Sequence, residues 1–302
     1  MLGTFLEGAS PMPMRHVLTA LLLCGAAIPA AAQDAQSLVA KNLEARGGEA
    51  ALSAIKAIRF EGRSIFPGDF EVAYRETRAQ VGPGTAARVD LTVQGLDLVQ
   101  AYDGRGGAWK INPFQGRKDP EKMSADEVRA MADGATIEGP LLASRHDGSR
   151  VDYLGRDDFD GTLAYKLRVT QKDGDQFTYW LDPDTYLEIK LEEMRKIRGA
   201  EQTSESELGD YEKIAGVYFP MSIESWAEGQ DKQRQRTIIA TGAANPQVDA
   251  DFFAEPGGPA TPAKASGEPP DASNKPHGKA ATSSKPAASD QAPANPPKPK
   301  GE

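Results

Sequence analysis

The side chains able to do acid–base, nucleophilic or metal chemistry are few and poorly placed for it. Of the three histidines, His16 sits in the N-terminal start and His277 in a proline-rich tail; only His146 lies in the central region, beside Asp147-Gly148 in a turn pattern. A zinc site converges several His, Cys or carboxylate ligands, so one histidine excludes sites built from several. Cys24 is the single cysteine, and bulky Leu23 precedes it where a lipid-attachment signal needs a small residue. There is no Gly-x-Ser-x-Gly nucleophile elbow and no phosphate loop. Gly82-x-Gly84 lies between strand patterns with no helix behind it. Asp157, Asp158 and Asp160 before Gly161 lack the bidentate glutamate that closes an EF-hand loop, and Asp160-Gly161 reads better as a hairpin turn. A glycosidase carboxylate pair can come from distant positions, and nothing here selects one. The expectation is a non-catalytic protein with no metal and no cofactor.

The chemistry that remains is desolvation. Leu163, Tyr165, Leu167 and Val169 alternate with polar residues; Asp173-Gly174 then turns the chain, and Phe177, Tyr179 and Leu181 continue the apolar face. Leu187, Ile189 and Leu191 alternate with Glu188, Lys190 and Glu192, and Val217, Phe219, Met221 and Ile223 resume the pattern. A period of two puts each set on one face of a strand. Leu163, Tyr165, Leu167, Phe177, Tyr179, Leu187, Ile189, Val217, Phe219 and Met221 are therefore the candidate inward-facing, ligand-binding positions. Alternation fixes a face; it leaves open whether that face lines a hollow or a dry core. Trp109 and Phe114, in the stretch 102–116, are the candidates for the mouth of such a hollow. That stretch reads as a glycine turn, a short strand and a proline-fixed loop.

These residues need a scaffold. Residues 36–46 read as a helix stopped by Gly47-Gly48, and 49–55 as a second short one. Strands follow at 58–66, 70–78, 87–93, 96–102 and 108–111. Residues 124–131 read as a helix with Ser124 and Glu127 at capping-box spacing. Together with the alternating segments above, a polar strand at 201–211 and a final strand at 233–241, the total is about eleven strands. Joined by turns, they must be antiparallel. So many strands do not stay flat, so the expected fold is a mainly β, strongly curved antiparallel sheet forming an incomplete barrel, with a few helices to cover its apolar interior.

Around this domain, expected over 33–255, the composition changes. Residues 17–28 are an apolar run too short for a membrane span, which needs ~20 residues. Ala30-Ala31-Ala32 follows as an export-signal cleavage site, giving a signal over 1–32. Residues 256–302 hold eleven of the 22 prolines and no aromatic residue, a composition that cannot bury enough apolar surface to order itself. Six lysines against four acids make this tail +2, and Arg15 balances Glu7 at the start. The total of −9 thus puts −11 on the domain, which argues against nucleic acid as a partner.

The stretch from Tyr102-Asp103-Gly104 through Trp109 to Asn112-Pro113-Phe114-Gln115-Gly116 is the most distinctive. Its companions are Ala45-Arg46-Gly47-Gly48, the hairpin from Leu181-Asp182-Pro183-Asp184 to Lys190, Tyr211 with Gly216-Val217-Tyr218-Phe219-Pro220, and Phe252-Phe253-Ala254-Glu255-Pro256. Together, over about 36–256, they resemble the outer-membrane lipoprotein-sorting family, the LolA/LolB-like proteins. The resemblance implies an incomplete barrel under a helical lid, a periplasmic location, and carriage of lipoprotein acyl chains or other lipids. It also leaves room for an envelope-stress sensor or protein-binding module on the same fold, with an envelope membrane protein as partner. The proline-rich tail is not part of the family pattern.

Overall fold

The switch from helical to two-residue periodicity near residue 56 marks the change from cover to sheet. The structure, a computed structural model, describes residues 30–257. The expected export signal and tail lie outside the described residues, apart from Ala30, Ala31 and Ala32, which open the first helix, and Pro256 and Gly257. Helices α1 (Ala30–Arg46) and α2 (Gly48–Ala54) come first. Strands β1 (Ala57–Phe66), β2 (Phe70–Val81), β3 (Gly84–Val93), β4 (Leu96–Tyr102), β5 (Ala108–Ile111) and β6 (Glu121–Lys122) follow. Helices α3 (Ala125–Ala135) and α4 (Gly139–Asp147) interrupt the strands. The second run is β7 (Arg150–Phe159), β8 (Thr162–Thr170), β9 (Gln176–Leu181), β10 (Glu188–Ile197), β11 (Ala200–Gly209), β12 (Glu212–Ile214), β13 (Val217–Phe219), β14 (Ser222–Ala227) and β15 (Gln235–Ala244). Among the described residues no helix is long and apolar enough to cross a membrane.

Thirteen strands form one antiparallel sheet in the order β6-β5-β4-β3-β2-β1-β15-β14-β11-β10-β9-β8-β7, and β12 pairs with β13 apart from it. The edge strands β6 and β7 do not pair with each other, so the sheet stays open: an incomplete barrel, as the strand count implies. Three register shifts, at Glu61/Gly62, Tyr153/Gly155 and Glu188/Lys190, add local bend and twist. At the first, a Cβ on Gly62 would lie 2.0 Å from the Ile238 carbonyl oxygen, so only glycine allows β15 to approach there.

The described residues hold fifteen strands where about eleven are expected. Strand β7 escapes the pattern because its charged residues and the Gly155 bulge break the alternation. The segment 217–223 divides into β13 and β14 around Pro220, which has no N–H to give, while the Met221 backbone still bonds Gly209 and Ile239. Helix α4, whose weak apolar stripe hides it in the sequence, carries His146 in its last turn rather than in a loop. Helix α3 forms as its capping box dictates, with Ser124 and Glu127 bonding reciprocally.

One apolar cluster fills most of the concave side. Leu38 and Val39 of α1, Leu52 of α2 and Leu141 and Leu142 of α4 pack on Ile58, Phe60, Leu167, Val169, Phe177, Leu181, Val217 and Met221. The α1–α2 junction is pinned at Gly47, at φ 123°, where a Cβ would meet the Gly216 carbonyl oxygen at 2.2 Å. A smaller cluster lies on the convex face, where Phe253 packs on Ala57, Ala79, Val81 and Ala86.

Leu142 is fully buried between α4 and the sheet. Leu142→Ala is expected to destabilise the domain by about 2–5 kcal/mol through lost transfer energy and a residual cavity. The shift of the chemical-denaturation midpoint checks this.

Candidate ligand cavity on the concave face

Between the end of α1 and the α3–α4 link, packing of the concave side leaves a cavity of about 210 Å³. Phe60, Leu141, Leu191, Phe219, Ile223 and Ile239 form its apolar wall. The rings of Phe60 and Phe219 meet edge-on at 5.4 Å.

Set into this wall are two ion pairs. Arg46, in the last turn of α1, donates through Nε to the Tyr218 carbonyl at 2.7 Å and through Nη1 to Glu188 Oε1 at 3.1 Å. Its guanidinium also lies over the Phe219 ring, 5.4 Å from the centroid. Arg46 and Glu188 are only 7% and 4% exposed. The Tyr211 hydroxyl donates to the Glu188 carbonyl at 2.8 Å and stands 3.2 Å from Glu188 Oε2. The second pair lies along β2, where Arg78 Nε donates to Glu76 Oε1 at 2.8 Å and Tyr74 donates to Glu76 Oε2 at 2.7 Å. Burial, reinforced by the neighbouring carboxylates, raises the Tyr74, Tyr179 and Tyr211 hydroxyls well above the usual phenol range. These phenols therefore stay protonated donors across physiological pH.

Helix α3 crosses the concave opening and is tied at both sides. It packs on β3, β4 and β5, and Lys110 of β5 pairs with Glu127. Toward the other wing, Arg129 donates to Asp175 at 3.1 Å and to the Lys196 carbonyl at 2.8 Å. Arg195 of β10 pairs with Asp133 of α3 and, at 3.2 Å, with Asp175, while its guanidinium lies 4.9 Å from the Phe177 ring centroid. Glu193 and Asp133 outweigh burial and raise Arg195 further above the usual guanidinium range. Asp133 also lines the cavity, so the α3 ties and the cavity share a wall.

The positions singled out by alternation divide. Leu167, Phe177, Tyr179, Val217, Phe219 and Met221 are buried in the concave cluster with Tyr165 packed against them, and Tyr179 and Phe219 line the cavity. Leu163 is 51% exposed, because it lies outside the last core pair, Tyr165 with Leu181. Leu187 and Ile189 fall outside the cluster, a correction with a clear cause. Glu188 pairs with Leu181 but Lys190 with Trp180, so Ile189 is the extra residue of a bulge. Beyond it, the core face of β10 is read by Leu191 and Glu193, and on the near side by Glu188 rather than its apolar neighbours. Trp109 is not at the mouth. It pairs with Ala101 on the face shared by Arg88, Ala86 and Phe253, the convex one, where its Nε1 donates to the Phe253 carbonyl at 2.9 Å. Phe114 is exposed on a single 3-10 turn after β5, away from the cavity.

Sequence reasoning missed the charged lining. The one local signal is in β2, where Tyr74, Glu76 and Arg78 follow Val72 on the face that alternation assigns to the core.

Arg195→Ala would leave Asp175, 1% exposed, and Asp133 with an incomplete set of counter-charges. A loss of about 3–5 kcal/mol is expected for breaking such a buried network. Hydrogen exchange in α3 should accelerate more than exchange in β1. The Lys110 ammonium, and then the Ser124 amide, hold the Glu127 carboxyl down at about 2 from an ordinary 4.5. A depressed carboxylate stabilises the fold fully above the ordinary value, and this contribution is lost as pH falls from about 4.5 through about 2. Lys110→Ala should move the Glu127 titration upward, read by NMR.

No family model matches the chain, and no curated protein matches it. Solved structures do. A Vibrio parahaemolyticus domain named for outer membrane lipoprotein sorting superposes with a TM-score of 0.51 at 12% identity, over 74% of this chain and 97% of that one. A DUF1329 family protein from Desulfovibrio piger gives 0.51 at 11% identity, over 74% and 98%. A LolA superfamily protein from Nitrosomonas europaea gives 0.49 at 16% identity, over 74% and 98%. At these identities the likeness is one of fold: the chain has the open, helix-covered antiparallel sheet of the lipoprotein-sorting proteins.

Proposed function

We propose that the protein is an exported, periplasmic carrier of hydrophobic ligands, with lipoprotein acyl chains or other lipids as its cargo. The observation that supports this most directly is the apolar cavity between the concave sheet face and the helical cover. Shielding a sixteen-carbon chain is worth ~12 kcal/mol at ~0.8 kcal/mol per CH₂, far more than an exposed ion pair supplies. The cavity, at about 210 Å³, is smaller than the ~300–1,000 Å³ typical of ligand sites. A chain of that length would enter only as the cover shifts, and α3 is the element suited to it. Its links across the opening are mainly ionic, and Ala135 is the one buried residue of the helix. The reading is non-catalytic. Each carboxylate on the cavity wall is engaged by a guanidinium, Glu188 by Arg46, Glu76 by Arg78, Asp133 by Arg195 and Glu138 by Arg145, which leaves none as a free base.

A second reading, a sensor or protein-binding module of the cell envelope, draws on a different surface. Strands β1, β3 and β5 all run toward one end of the sheet. There Phe66 and Phe70, with ring centroids 6.3 Å apart, Leu96 and Phe114 stand on successive turns.

Mass spectrometry of an organic extract of the purified protein tests the carrier reading. Acyl lipids are expected in the extract. A clean extract from protein that also fails to take up a neutral fluorescent acyl ester would overturn it, and a pull-down dominated by one membrane-anchored protein would favour the second reading.

A further inference from the structure

The polar groups of the cavity carry information about the head of the ligand as well as its tail. We infer, resting on the carrier reading, that the cavity takes an acyl chain whose head is uncharged, an ester or amide, and refuses the free carboxylate of a fatty acid.

Charge balance at the wall sets this preference. Among the described residues that line the cavity, the two guanidiniums are Arg46 and Arg78. Each is already matched by a buried carboxylate, at 3.1 Å for Glu188 and 2.8 Å for Glu76. A fatty-acid carboxylate reaching the inner wall would have to displace Glu188 or Glu76. That leaves a protein carboxylate buried without its counter-ion, a costly arrangement in a low-dielectric interior. The other orientation is no better. The remaining charged groups on the wall are Asp133 and Glu138, both carboxylates, with side chains 14% and 21% exposed. Each is already paired, Asp133 with Arg195 and Glu138 with Arg145, so a carboxylate held among them finds no free counter-charge, on a domain whose net charge is already −11.

An ester or amide meets neither obstacle. Its carbonyl needs a hydrogen-bond donor rather than a counter-charge. Tyr179 lines the cavity and its hydroxyl remains protonated, whereas the one hydroxyl proton of Tyr211 is already committed to Glu188. The apolar wall of Phe60, Leu191, Ile223 and Ile239 accepts the chain in either case, so discrimination falls on the head alone.

Isothermal titration calorimetry on the purified protein at neutral pH, with lauric acid and with monolaurin, its glycerol ester, each below its micelle concentration, tests this. Monolaurin is expected to bind at least roughly tenfold more tightly, a difference of about 1.4 kcal/mol. Glu188→Gln releases Arg46 from its partner, so the preference should narrow or reverse; Glu76→Gln does the same for Arg78 and serves where the first variant fails to fold. Lauric acid binding as tightly as monolaurin overturns the inference while the carrier reading stands, and so does an undiminished preference in folded variants. Binding of neither compound, with a clean lipid extract, overturns the carrier reading and the inference with it.

Discussion

An open sheet with one apolar face must cover that face with something other than itself. Because β6 and β7 do not meet, the concave side cannot close by strand pairing, and the hydrophobic effect instead recruits helices from either end of the strand runs. Helices α1 and α2 arrive from before β1, and α4 from between β6 and β7. They contribute Leu38, Val39, Leu52, Leu141 and Leu142 to one cluster with the strands. The remaining architecture follows from this covering: the glycine at the α1–α2 junction, the bulges that bend the strands, and the gap left between the end of α1 and the α3–α4 link.

That gap is where polarity enters the interior. Arg46 ends α1 and finds Glu188 across the cavity, while Glu76 and Arg78 satisfy each other along β2. Buried ion pairs are weak contributors to net stability, because desolvation offsets most of the attraction. What they do here is set the electrical character of the wall: each cation is spoken for. The same economy of pairing holds α3, whose links to the β8–β9 turn and to β10 run through Arg129, Arg195, Asp133 and Asp175. A cover held by apolar packing would resist opening in proportion to its buried area. One held by ion pairs can exchange some of them for water as it moves, which suits the proposed entry and release of a long chain.

The convex side shows how a sheet can be buried twice. The segment carrying Phe252 and Phe253 returns after β15 to lie over Ala57, Ala79 and Ala86. Arg88 stacks on Phe252 at 4.7 Å and Trp109 bonds the Phe253 carbonyl. Small residues on that face of β1, β2 and β3 leave room for the aromatic strap. Trp109, prominent in the sequence, belongs to this outer layer and acts there as a structural anchor.

Local pattern alone determined the fold class and most of the elements. Helices flanked by Gly47-Gly48 and by a Ser124–Glu127 box, and strands of period two between turn residues, are written in steric and hydrogen-bonding preferences that act within a few residues. The apolar face of β8 and β9 was legible for the same reason. Tertiary structure decided the rest. A single extra residue at Ile189 turns Glu188 inward and takes Ile189 off the core face, and no local rule places that bulge. Which side of the sheet is concave depends on how thirteen strands curl, so Trp109 could not be assigned to a face by its own neighbours. The pairing of Arg46 with Glu188 joins residues 142 positions apart. Charged side chains of that kind look solvent-exposed in a sequence, because only the assembled wall supplies the partner that makes their burial possible.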